Sequence, residues 1–129
     1  MTESSGMADV AAEQDRFDEL VRLAIDAIPQ PFAARLGSVA IVVEDEPTSD
    51  QLASVRAAGL FGLYQGVPRT MFGVDNFAVP SKITIFRGPL ERAYPNPVSL
   101  AEAIADVVRH EVAHHFGIND ARLLELQAP

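Results

Sequence analysis

Residues 99–120 read SLAEAIADVVRHEVAHHFGIND, and this stretch decides the fold. Leu100, Ile104, Val108, Val112 and Phe116 recur at the spacing of one face of an α-helix. Ser99-Leu-Ala-Glu102 has the form of a capping box at the start, and Gly117 stands where a helix turns left-handed and stops. On a wheel of about 100° per residue, Glu102, Asp106, Arg109 and Ala113 share the arc expected to face solvent, opposite the apolar arc. His110 and His114 fall on the border between the two, where a pair of side chains can face a cleft.

His110-Glu111-Val112-Ala113-His114 is an HExxH pattern inside this helix. Residues four apart project from one face, so both imidazoles can reach a single ion. Neutral imidazole is a preferred zinc ligand, and catalytic zinc sites combine three protein ligands with a water. Asp120 lies six residues beyond His114, with Gly117 between them. A helix that ends at Gly117 can return the chain towards the histidines, which makes Asp120 the candidate third ligand. A competing reading makes Asp120 the N-cap of a short closing helix, Ala121 to Gln127.

Glu111 falls about 100° round the wheel from His110, beyond His114. Beside a metal-activated water it is placed to act as general base towards a peptide carbonyl and then to pass the proton to the leaving amine. The expected site is therefore one Zn2+ per chain held by His110, His114 and Asp120, with Glu111 catalytic. A bare HExxH arises by chance in about one chain in a few hundred of this length. The added glycine and aspartate make two ordinary satisfied histidines on an amphipathic helix the weaker alternative. His115 falls on the core side and reads as a packed histidine. Tyr64 and Tyr94 are the phenols available to stabilise an oxyanion, and each reads first as structural.

The rest of the chain bounds this reading. Its 129 residues suit one domain, expected over 15–129. The first fourteen residues are small and polar, and read as a frayed or disordered tail with no signal-peptide pattern. There is no cysteine, so any metal must be held by histidine and carboxylate. A net charge of −8 argues against nucleic acid or an anionic membrane as partner, and no apolar run is long enough to span a bilayer. A cytoplasmic location is the resulting expectation.

Upstream of the motif, Phe17, Leu20, Val21, Ala24 and Ile28 predict an amphipathic helix stopped by Pro29. Pro31 to Leu36 predicts one further turn, Val39 to Glu44 a buried strand, and Gln51 to Ala58 a short helix. Leu60 to Gln65 reads as an edge strand in which Gly62 marks a bulge or a close approach by another backbone. Val67 to Pro80 reads as a long loop, Lys82 to Arg87 as a strand, and Gly88 to Pro97 as a proline-rich connection. Helix, strands and helix in that order give an α+β class.

His110 to Asp120 matches HExxHxxGxxD, and so resembles the signature of zincin metallopeptidases whose third ligand is aspartate. The chain is also similar to the small bacterial minimal zincins in its N-terminal helix ending at proline, in Leu-Tyr-Gln-Gly-Val-Pro (63–68) and in Pro-Ser-Lys-Ile-Thr-Ile-Phe-Arg (80–87). The resemblance implies a small mixed sheet packed on an N-terminal helix and the HExxH helix. It also implies an edge strand beside the metal, either Leu60 to Gln65 or Lys82 to Arg87, that pairs with an extended peptide or unfolded-protein substrate. Larger zincins with this long motif carry a methionine turn after the third ligand, whereas residues 121–129 hold no methionine and Met71 lies upstream. Three functions stay open at this point. They are a zinc-dependent peptidase, a non-catalytic zincin-like module that binds extended peptides or a partner strand, and an interaction protein that forms a homodimer through an exposed edge.

Overall fold

The computed structural model describes residues 2–53, 60–66 and 81–118. Asp120, Met71, the loop expected over 67–80 and the closing segment 121–127 lie outside the described residues.

Helix α1 (Thr2–Asp26) presents Phe17, Val21 and Ala24 to the core, and Ile28 follows on the turn that ends at Pro29. The helix reaches back to Thr2, so the backbone of the segment expected as a tail is helical. Val10 to Glu13 are exposed and add nothing to the core. A 3-10 turn (Ala33–Ser38) then leads into strand β1 (Val39–Glu44). Helix α2 (Ser49–Ala53) begins two residues earlier than the sequence suggested. Thr48 and Gln51 form a reciprocal capping box there, each side chain accepting from the other's backbone N–H at 3.1 and 2.7 Å.

Strands β2 (Gly62–Gln65) and β3 (Ser81–Phe86) complete a sheet of order β1-β3-β2, with β3 parallel to β1 and antiparallel to β2. This is the mixed sheet of an α+β fold. Of the two strands expected as the edge, β2 has one sheet neighbour among the described residues, while β3 is central. β3 is covered on both faces: Ile83 and Ile85 join the core with α1, and Phe86 packs with Leu60 and Leu63 on the other. The alternating run Lys82-Ile-Thr-Ile85 therefore belongs to a strand buried on both sides, not to one with a face in water. β1 is the half-buried one, because it has a single sheet neighbour among the described residues and Ala40 is exposed.

Gly88 to Pro97 is not merely a connection. Helix α3 (Arg87–Ala93) occupies most of it, with Pro89 in the first turn, where its missing N–H has no intrahelical partner to lose. Arg87 ties this helix to Asp45 at 2.9 Å and pairs with Glu91 one turn along the same helix at 2.6 Å. Helix α4 (Pro97–Phe116) starts at Asn96 and not at Ser99: the Asn96 side chain accepts from the N–H groups of Val98 and Ser99, and Pro97 fills the first turn. Gly117 ends the helix at φ 68°, ψ 27°, the left-handed conformation that favours glycine.

Ile104, Val108, Val112 and Phe116 form the buried stripe of α4, packed with Phe17, Val21, Ile83 and Ile85. Ala113, expected in solvent, is fully buried. α4 packs against α1, α3, β2 and β3, so its covered arc is wider than one apolar stripe. Among the described residues no helix is long and apolar enough to cross a membrane.

Candidate metal centre

α4 delivers His110, Glu111 and His114 to one place. Each offers a ligand atom, and these atoms lie within 4.8 Å of one another. The imidazole rings of His110 and His114 are 4.4 Å apart between centroids, inclined at 60°. Both are about half exposed, at 48 % and 52 % of the side chain, whereas the Glu111 side chain is 7 % exposed. The border position of the two histidines on the helix wheel thus becomes a pair of open imidazoles with a buried carboxylate between them.

Glu111 Oε1 lies 3.5 Å from His114 Nδ1, and Glu111 Oε2 lies 3.9 Å from His110 Nε2. Burial pushes the Glu111 carboxyl above the usual range of 4.5. The charges of His114 and His110, and hydrogen bonds from His114 and the Tyr64 backbone N–H, oppose that rise. A carboxylate this deeply buried beside two half-exposed imidazoles is not an ordinary surface ion pair.

Strand β2 makes this seat. Gly62 faces α4, and a Cβ built on it would meet Val107 Cγ1 at 2.6 Å and Glu111 Cγ at 3.2 Å. The glycine read from sequence as a point of close approach is therefore where β2 lies against the glutamate. His115, one residue beyond the second histidine, is fully buried. Its Nδ1 is 3.1 Å from the Tyr64 hydroxyl, which is 3.0 Å from Ser81 Oγ. Tyr64 is thus engaged with the sheet and α4, while Tyr94 stacks obliquely on Phe61 at 5.9 Å. Ser81 had no signal in the sequence, since it becomes part of this cluster only through the pairing of β2 with β3.

The family model described as zincin-like metallopeptidase matches residues 36–128. The chain belongs to the zincin-like metallopeptidase family. No curated protein matches it. The matched range takes in all of α4, so the zincin-like assignment and the His110–Glu111–His114 cluster coincide on one helix. The zincin-like family implies a metal, usually zinc, and the donors here suit such an ion. Imidazole nitrogen is a borderline donor that zinc prefers, and zinc also accepts the harder carboxylate oxygen. The imidazoles are on the exposed side of the cluster.

Proposed function

We propose that this protein is a zinc-dependent peptidase that hydrolyses peptide bonds, with His110 and His114 as metal ligands, Asp120 as the third, and Glu111 as general base. The observation that supports it most directly is the contrast within one helical turn: two half-exposed imidazoles flank a carboxylate that is almost fully buried. A buried carboxylate is costly unless it has a task or a partner. A purely structural metal site has no need of Glu111 at that point.

When bound, zinc would supply Lewis-acid polarisation of a carbonyl and a lowered pKa for water. The chain's own residues do the rest. Glu111, its carboxyl raised by burial, accepts a proton on an oxygen that faces the imidazole pair and returns it to the leaving amine. The apolar contacts of α4 with β2 and β3 exclude water behind it.

β2 supports the choice of an extended peptide as substrate. Among the described residues it has a strand neighbour on one side only, and its Gly62 lies against the turn of α4 that carries Glu111. Backbone pairing there gives affinity with little side-chain selectivity, which suits unfolded or short peptides. The same edge also favours the non-catalytic reading, in which the chain only holds a peptide or partner strand.

Two variants separate these readings. His114→Ala should lose close to one equivalent of zinc per chain by elemental analysis. Glu111→Gln should keep the zinc and abolish cleavage of a quenched peptide library, since an amide cannot accept the proton. Cleavage that survives Glu111→Gln would disprove the mechanism. Zinc binding by a wild type that cleaves nothing would leave the peptide-binding module.

A further inference from the structure

A polar cluster behind the histidines is not used by the mechanism above. It joins Ser81 on β3, Tyr64 on β2 and His115 on α4, through a single phenol oxygen 3.0 Å from Ser81 Oγ and 3.1 Å from His115 Nδ1. Ser81 and His115 are buried, at 4 % and 0 % exposure. The Tyr64 and His115 rings also meet edge-on, 5.6 Å between centroids. A hydroxyl can donate one hydrogen bond and accept others, so it serves both neighbours in either histidine tautomer.

The pairing of the strands shows why this phenol matters to the site. Phe86 N–H donates to Phe61 C=O at 2.9 Å, which makes Phe61 and Phe86 a hydrogen-bonded pair. Hydrogen-bonded and non-hydrogen-bonded pairs alternate in an antiparallel ladder. Gly62 opposite Ile85 and Tyr64 opposite Ile83 are therefore of the second kind, with their peptide groups turned away from β3. The Tyr64 N–H turned outward in this way reaches the Glu111 carboxylate. Tyr64 is then held at two ends, by its phenol in the buried cluster and by its peptide N–H on the glutamate.

We propose that Tyr64 is a positioning residue for Glu111, gripped by Ser81 and His115 so that its peptide N–H holds the carboxylate back between the two imidazoles. The proposal rests on reading Glu111 as the general base. A glutamate has three side-chain torsions, and its oxygens already lie 3.5 and 3.9 Å from the imidazole nitrogens. Released from the N–H, the carboxylate can swing towards the ion and become a ligand itself, which removes the base while leaving the metal in place.

The test uses the full zinc-loaded chain and three variants. Tyr64→Phe removes one oxygen, His115→Leu removes the imidazole at similar volume, and His115→Asn keeps a polar atom near the position of Nδ1. Tyr64→Phe and His115→Leu should retain one zinc and lower kcat by about tenfold to a hundredfold, with KM changed by less than about threefold. His115→Asn should recover to within about fivefold of wild type. Amide hydrogen exchange at Tyr64 should accelerate at least about tenfold in the two damaging variants and not in His115→Asn. Wild-type kcat in Tyr64→Phe, or equal damage from Asn and Leu at 115, overturns the proposal. If the wild type cleaves nothing, the peptidase reading fails, and the Tyr64 exchange alone decides: unchanged exchange in Tyr64→Phe overturns the clamp, and selective acceleration upholds it. His115→Leu that fails to fold leaves the decision to Tyr64→Phe, whose ring packing is intact.

Discussion

Gly62→Ala should be the most damaging single-carbon change in the described sheet, because the space for that carbon is already occupied. The new Cβ would sit 2.6 Å from Val107 Cγ1, 3.2 Å from Glu111 Cγ and 3.5 Å from Thr84 O. Carbon pairs prefer separations of about 3.5–4.0 Å, so the first contact is short by roughly an ångström and the second by a few tenths. Val107 is β-branched on a helix, where one rotamer dominates, and cannot simply turn away. The strand or the helix must move, and overpacking of this kind costs about 1–3 kcal/mol. For a chain of this size that corresponds to a fall in Tm of very roughly 3–12 °C. Gly37→Ala is the matched control. Nothing lies within 4 Å of its built Cβ and its φ is not in the left-handed range, so reduced freedom of the unfolded chain makes it neutral or stabilising by up to about 1 kcal/mol. Both variants are compared by thermal and urea unfolding of the metal-free protein. Zinc-loaded Gly62→Ala should also lose kcat, since the displaced atom is part of Glu111. Equal stability of the two alanine variants would refute the reasoning, for it would mean that β2 does not lie against α4 at Glu111.

Asn96→Ala should cost about 0.5–2 kcal/mol in urea unfolding, whereas Ser99→Ala should cost little, because Asn96 and not Ser99 caps α4. Asp120→Ala should weaken zinc binding at least about tenfold in competition with a chromogenic chelator, with little change in the stability of the metal-free form. A variant that binds zinc normally but melts much earlier would make Asp120 a helix cap. Glu111 also has a pH signature in the metal-free protein. Its folded pKa is raised above 4.5 by burial, so the folded state holds the proton more tightly than the unfolded chain. That contribution to stability is complete below the unfolded value and is lost as pH rises through the folded one. The stability of Glu111→Gln relative to wild type, measured in chelator, should therefore increase as pH rises from 4.5; parallel pH profiles would exclude a raised carboxyl.

The helix that carries the histidines was legible because its signals are local. Apolar spacing gave Ile104, Val108 and Val112 as core, and Gly117 as the stop, and all four hold in the structure. Misreadings came where a local signal had a competitor close by. Ser99-x-x-Glu102 is a good capping box, but Asn96-Pro97 lies three residues earlier and captures the first turn. Pro89 and Pro95 suggested a connection, although proline is harmless in the first turn of α3. Ala113 was placed in solvent by a wheel that knows one neighbour, whereas α4 packs against four elements. The approach of Gly62 to Glu111 was half legible: the glycine announced a close neighbour, but only the pairing with β3 says which. Ser81 was invisible, since nothing in a serine at the start of a strand points to a phenol seventeen residues away.

What turns an HExxH helix into a site in this chain is the parity of β2. Gly62 and Tyr64 are two apart, so both face α4, and they do opposite things there: the first leaves room and the second fills it. The missing side chain of Gly62 lets the strand approach Glu111, and the phenol of Tyr64 fixes how far along the helix it lies. A slip of one residue in the β2–β3 register would turn Leu63 towards the glutamate and carry Tyr64 off His115. It would also turn the Tyr64 N–H from Glu111 to β3 and put the N–H of a neighbouring residue in its place. The hydrophobic pair Leu63–Phe86 on the far face opposes that slip, because Leu63 would then leave its apolar cluster. The helix supplies the chemistry of the three residues, and the register of a four-residue strand sets how the carboxylate among them is seated.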